Sequence, residues 1–180
     1  MNQPATGPSN STPPQSAPTY YNPIPVVVAL VPVRISTASS QGRNLGLLTI
    51  ERGIEPQKGQ LALPGGFLEY EDWRVGLLRE LCEETGLKGY IITQVKLLNV
   101  HSVAYNTRLA LFASLPVVDE SELASCFAPT EECPRYQIIT APHELAFSTH
   151  TEMARRFFEV QADEVTLGYE TLSLPTRPEE

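Results

Sequence analysis

Between Ile24 and Ile35 the chain is almost continuously apolar and rich in β-branched residues, but it contains Pro25 and Pro32. That pattern predicts a strand with an edge position or an irregular end. Leu45 to Glu51 reads as a second strand, after the turn-forming Ser39-Ser40-Gln41-Gly42. Ile54 to Gly59 is a Pro- and Gly-bearing loop, and Leu61 to Leu63 is a short strand that stops at Pro64-Gly65-Gly66. From about Glu71 to Thr85 the apolar positions take a helical period, with Leu77, Leu78, Leu81 and Cys82 at i, i+1, i+4 and i+5. Gly86 stands where a left-handed C-terminal cap is wanted.

Tyr90 to Val100 and Thr107 to Leu115 predict two further strands, the second ending at Pro116. An acidic loop fills Pro116 to Arg135, and Tyr136 to Thr140 is a last strand. Ser148 to Val160 is a helix, with Ser148 or Thr149 as its cap and Glu152 in its first turn. Strands on both sides of one central helix, plus a closing helix, predict an α/β fold in which a mixed sheet is sandwiched between helices.

Composition adds boundaries. Residues 1–20 are rich in Pro, Ser, Gln and Thr and cannot offset the entropy of ordering, so they read as a disordered leader. Residues 21–163 form the domain, and 164–180 read as a C-terminal tail. A chain of 180 residues with 42% hydrophobic residues suits one domain with a core of its own. Its net charge of −8 disfavours a partner whose phosphates must be neutralised by the protein's own cations, so no nucleic acid is expected.

Cys82, Cys126 and Cys133 form no Cys-x-x-Cys and are odd in number, which excludes a disulfide framework or a zinc ribbon. Val26 to Val33, interrupted by Pro32, falls far short of the roughly 20 residues that span a bilayer. No basic side chain precedes it, so it does not read as a signal peptide either. A cytoplasmic protein with no membrane partner is the expectation.

The chemistry lies on the central helix. At about 100° per residue, Glu80, Glu83 and Glu84 share one arc, with Val75, Leu78 and Cys82 opposite and Leu77 and Leu81 on the flank. Like charges so close repel, and they stand towards the helix C-terminus, where the macrodipole disfavours anions. An acidic face of this kind is either simply solvated or built for a cation. Oxygen-only ligands suit a hard divalent ion, Mg²⁺ or Mn²⁺.

The window from Gly65 to Leu87 matches G-x5-E-x7-R-E-U-x-E-E-x-G-U, with U an aliphatic, so the chain resembles the Nudix hydrolase family. The resemblance implies a Nudix-type α/β/α sandwich with a mixed central sheet. It also implies divalent-metal-dependent hydrolysis of the pyrophosphate bond of a nucleoside diphosphate linked to another moiety. Carried over by position, Glu80 and Glu84 are the principal metal ligands and Glu83 a further ligand or the holder of a metal-bound water. Arg79 orients by pairing with Glu71, and the Pro64-Gly65-Gly66 turn brings a backbone carbonyl, that of Gly65, to the metal.

Family members commonly read P-G-G-x-x-E-x-G-E, whereas Pro64 to Glu71 lacks the glycine before the last glutamate, and Gly76 and Leu77 stand where two alanines are usual. The general base varies in the family; Glu131, Glu132 and Glu144 are the candidates here. The run from Arg52 to Gly59 resembles the one that precedes the box in enzymes acting on ADP-ribose and dinucleotides, which makes Arg52 a candidate phosphate contact. Tyr105 falls about where diadenosine-polyphosphate hydrolases carry a tyrosine, although an aromatic in a strand is more often core. The expected partner is a small-molecule nucleotide, and family habit allows a homodimer. Two rivals stay open: a house-cleaning (d)NTP pyrophosphohydrolase, which uses the same box, and a non-catalytic nucleotide-sensing domain, which would normally show a damaged box or an attached DNA-binding module.

Overall fold

A computed structural model describes residues 22–35 and 45–163, with side chains to Val160. The expected leader at 1–20, the turn at 39–42 and the tail at 164–180 lie outside the described residues. The apolar run at the start becomes two strands, β1 (Ile24–Leu30) and β2 (Pro32–Arg34). The break at Val31 moves the chain from one sheet to another. The Leu30 carbonyl accepts the Leu115 N–H at 3.1 Å, whereas the Val31 carbonyl accepts the Leu48 N–H at 3.0 Å. Pro32, which has no N–H to give, opens the new strand.

The other strands are β3 (Leu45–Glu51), β4 (Leu61–Ala62), β5 (Gly65–Phe67), β6 (Lys96–Val103), β7 (Arg108–Ser114), β8 (Val118–Asp119) and β9 (Tyr136–Ile139). One sheet has the order β5-β1-β7-β6, with β1 parallel to β7 and antiparallel to β5. The other runs β4-β3-β2-β8, with β9 antiparallel to β3. Both sheets are mixed.

The helices are α1 (Trp73–Thr85), α2 (Glu120–Cys126) and α3 (Ser148–Asp163). Alternate residues of the first run feed opposite faces: Val27, Ala29, Val31 and Val33 pack with Leu77 and Leu81 of α1 and Leu123 of α2. Val28 and Leu30 pack with Phe112 and with Met153, Ala154 and Phe158 of α3. This is an α/β/α sandwich, and both faces of its central strands are buried. Among the described residues no helix is long and apolar enough to cross a membrane.

Several expectations are corrected. The strand predicted from Tyr90 begins only at Lys96, after a 3-10 turn at Ile92–Gln94. The loop expected between Pro116 and Arg135 contains β8 and α2. Tyr105 lies in the β6–β7 turn with φ 56° and its side chain fully in solvent, so it is neither strand nor core.

His150, at the start of α3, is buried, and its Nδ1 accepts the Leu63 N–H at 3.1 Å. Burial pushes its pKa down to about 3 from 6.5. Between those values the unfolded chain holds a proton that the folded one does not, so stability contributed by neutral His150 is lost as the pH falls from about 6.5 towards 3. His150→Gln is expected to flatten this acid limb in urea unfolding measured across that range, whatever it costs at pH 7.

Candidate active site

α1 starts at Asp72, whose carboxylate accepts the Arg74 N–H at 2.9 Å, and ends at Gly86, with φ 75°. Two residues of the predicted first turn, Glu71 and Asp72, therefore precede the helix. The face turned to the sheets consists of Gly76, Leu77, Leu81 and Thr85, while Val75 is 39% exposed. Of the apolar positions on the helix, it is Leu77 and Leu81, on the flank of the acidic arc, that turn to the sheets, and not Val75 opposite it. With Leu77 and Leu81 pointing inward, Glu80 and Glu84 fall at the margin between helix and sheet rather than on an open surface.

The Pro64-Gly65-Gly66 turn closes over that margin. It continues into β5, which pairs Gly65 with Val28 and Gly66 with Val27. Gly65 has φ 150°, and a Cβ there would stand 2.1 Å from the Val27 carbonyl oxygen. A Cβ on Gly66 would stand 2.4 Å from Glu80 Oε2. The glycines thus let the turn lie directly on β1 and on the Glu80 carboxylate. The Gly65 N–H donates to Glu84 Oε2 at 2.8 Å.

Arg79 gathers the other carboxylates. Its Nε and Nη2 donate to Glu71 Oε1 at 3.1 and 2.8 Å. Its Nη1 donates to Glu80 Oε1 at 2.8 Å and to Glu83 Oε2 at 3.1 Å, and Nη2 also reaches the Phe67 carbonyl at 3.1 Å. A planar guanidinium serves several acceptors at once in a way an ammonium does not. A Cβ on Gly76 would stand 3.0 Å from Glu71 Oε1, so the glycine at this helix position leaves room for the Glu71 carboxylate.

Burial pushes Glu84 up to about 8; the Gly65 N–H and the Arg52 charge oppose this, while Glu80 and Glu132 add to it. Burial also raises Glu80, against the pull of Arg79. Of the three candidate bases, Glu132 is the one whose charge is felt at both Glu80 and Glu84. Glu131, Glu132 and Glu144 are all exposed. The Arg52 Nε donates to the Pro56 carbonyl at 2.7 Å, and its guanidinium lies 5.1 Å from the centre of the Phe147 ring. The Phe147 contact is absent from the sequence reading, since nothing in the chain pairs two positions so far apart.

Among the described residues, no three His, Cys, Asp or Glu side chains stand ready as a metal cage. The reason lies in the contacts above: Arg79 holds Glu80 and Glu83, and Gly65 holds Glu84. The donor set nonetheless fits a hard divalent cation. It is all oxygen, and it contains a buried carboxyl with neighbouring negative charge that a cation would relieve.

Fold and site together define an α/β/α protein whose central helix and preceding glycine turn gather carboxylates at the sheet margin. The NUDIX domain model matches residues 30–161, and the chain belongs to the Nudix family. A MutT/nudix family protein from Enterococcus faecalis has the same fold, with a TM-score of 0.64 at 18% identity, covering 83% of this chain and 66% of that one. The NUDIX domain of Shewanella oneidensis NrtR, solved with ADP ribose, gives 0.61 at 18% identity over 79% of this chain and 90% of that one. Shewanella oneidensis NrtR complexed with a 27mer DNA gives 0.52 at 19% identity, over 76% of this chain and 62% of that one. No curated protein matches the sequence.

Proposed function

We propose that this chain is a divalent-metal-dependent pyrophosphohydrolase that cleaves the pyrophosphate bond of a nucleoside diphosphate linked to another moiety, ADP-ribose or a dinucleotide being favoured. The observation that carries the reading is the buried Glu84 carboxyl, seated by the Gly65 N–H beside Glu80 and Glu132. Glu80 and Glu84 would hold the Mg²⁺ or Mn²⁺, with Glu83 and the Gly65 carbonyl as further oxygen donors. A bound divalent ion would neutralise phosphoryl charge and lower the pKa of the attacking water.

The chain's own residues supply the rest. Arg79 gathers Glu71, Glu80 and Glu83 on one side of the helix, and would share or release Glu80 and Glu83 when a cation takes its place. Glu132 is the favoured proton acceptor for the attacking water, because its charge is felt at both Glu80 and Glu84. Arg52, on the loop after β3, is placed to contact a substrate phosphate. The anionic enzyme and its anionic substrate are reconciled by the cation between them, and the ADP ribose bound by the NrtR domain supports a small nucleotide as ligand. The unit that does this is residues 21–163.

The test is a panel of ADP-ribose, NADH, FAD, diadenosine polyphosphates and dNTPs with Mg²⁺ or Mn²⁺, with products separated by chromatography. Two nucleotide or sugar monophosphates from a linked diphosphate are expected. Pyrophosphate released from a dNTP alone would favour the house-cleaning activity, and binding without turnover would favour a sensing domain.

A further inference from the structure

The ladder between β3 and β9 does not end where the strands do. Its last pair is Ile50 with Tyr136, but the Glu51 N–H donates to the Arg135 carbonyl at 2.8 Å, and the Gly53 N–H donates to the Glu132 carbonyl at 2.7 Å. The Glu51 and Arg135 side chains pair across the same edge. Cys133 is buried between these contacts, and its N–H donates to Thr130 Oγ1 at 3.0 Å. The segment carrying Glu132 is thus stitched to the end of β3 by main-chain bonds, which fix position far better than an exposed side chain does.

Gly53 is the tightest point of that seam. A Cβ there would lie 1.7 Å from the Glu131 carbonyl oxygen and 3.1 Å from the Glu132 carbonyl carbon. Both are backbone atoms, so any side chain at 53 must push the segment away. The absence of a side chain at Gly53 is what permits its short bond to Glu132.

We propose that Gly53 is a positioning residue: by letting the Glu131–Glu132 backbone lie against the end of β3, it delivers the Glu132 carboxylate to the site formed by Glu80 and Glu84. This rests on the reading of that site as one for a divalent cation. Glu132 adds negative charge to the cluster whether it touches the cation or a water bound to it, so displacing its backbone and removing its charge have the same consequence there.

The experiment measures Mn²⁺ affinity by electron paramagnetic resonance for the wild type, Gly53→Ala, Glu132→Gln and the double variant, with Gly46→Ala as control. A Cβ on Gly46 would also strike the sheet, 2.9 Å from the Ile139 carbonyl oxygen, but remote from Glu132 in the ladder. Both single variants are expected to bind Mn²⁺ about tenfold more weakly. The double variant should be no weaker than either, and Gly46→Ala should match the wild type. Unchanged affinity in Gly53→Ala or in Glu132→Gln, or losses that multiply in the double variant, would overturn the proposal. A wild type that binds no Mn²⁺ would instead remove the cation site itself, and this inference with it.

Hydrogen exchange needs no change at position 53. The Gly53 amide is expected to exchange more slowly when Mg²⁺ is added to the wild type, and to show no such response in Glu132→Gln. An amide indifferent to Mg²⁺ in the wild type would overturn the proposal even if Gly53→Ala fails to fold.

Discussion

Glu84→Gln is expected to abolish hydrolysis, by at least about a hundredfold, while the chain stays folded and, free of metal, becomes more stable at alkaline pH. The amide keeps an oxygen to accept the Gly65 N–H and is nearly isosteric, so no cavity opens. What it removes is a charge that burial disfavours. The Glu84 carboxyl has its folded pKa raised from 4.5 to about 8, so between those values the folded chain holds a proton that the unfolded chain has released. The stability from that neutral form is complete below about 4.5 and is lost as the pH rises towards 8. Thermal unfolding in chelator at pH 6 and pH 9 should therefore show the wild type falling and Glu84→Gln holding. Full activity in the variant would overturn its place as a ligand, and equal pH dependence of the two proteins would overturn its burial.

Leu81→Ala is expected to cost about 2–5 kcal/mol, the range for truncating a leucine that is wholly enclosed. Leu81 is 0% exposed and packs beneath α1 with Leu77. Val75→Ala, at a position 39% exposed, should stay within about 0.5 kcal/mol. Urea unfolding of the two variants decides the rotation of α1 about its axis, and with it the direction of Glu80 and Glu84. Equal losses would mean that Val75 is as enclosed as Leu81 and would overturn this orientation.

That rotation marks the limit of the sequence. The period of α1 was legible, as were its C-cap at Gly86 and the whole of β3, because each is written in local residue choices. The helix carries apolar side chains on more than one side, however, and only packing chooses among them. Leu77 and Leu81 win because β1, the break after it and β3 present Val27, Val31 and Leu48 to them. β5 escaped notice because Gly65 and Gly66 carry no strand preference and pair only because β1 lies alongside. α2 was hidden in an acidic, Ser-bearing stretch where Leu123 alone is buried.

The carboxylates of the site were readable from their spacing, but the burial of Glu84 was not. It depends on the Pro64-Gly65-Gly66 turn folding back over the helix, a contact nineteen positions away. Nor could the sequence choose among Glu131, Glu132 and Glu144. The main-chain bond between Gly53 and Glu132, on which our proposal for Glu132 rests, is one to which no side-chain pattern points.

The most direct test of the central claim is an anomalous difference map at the manganese absorption edge from crystals grown with Mn²⁺. A peak bounded by the carboxylates of Glu80 and Glu84, with Arg79 turned from Glu80 or sharing it, is the predicted result. A peak elsewhere on the molecule, or none at millimolar Mn²⁺ with these side chains still held by Arg79 and Gly65, would contradict the assignment.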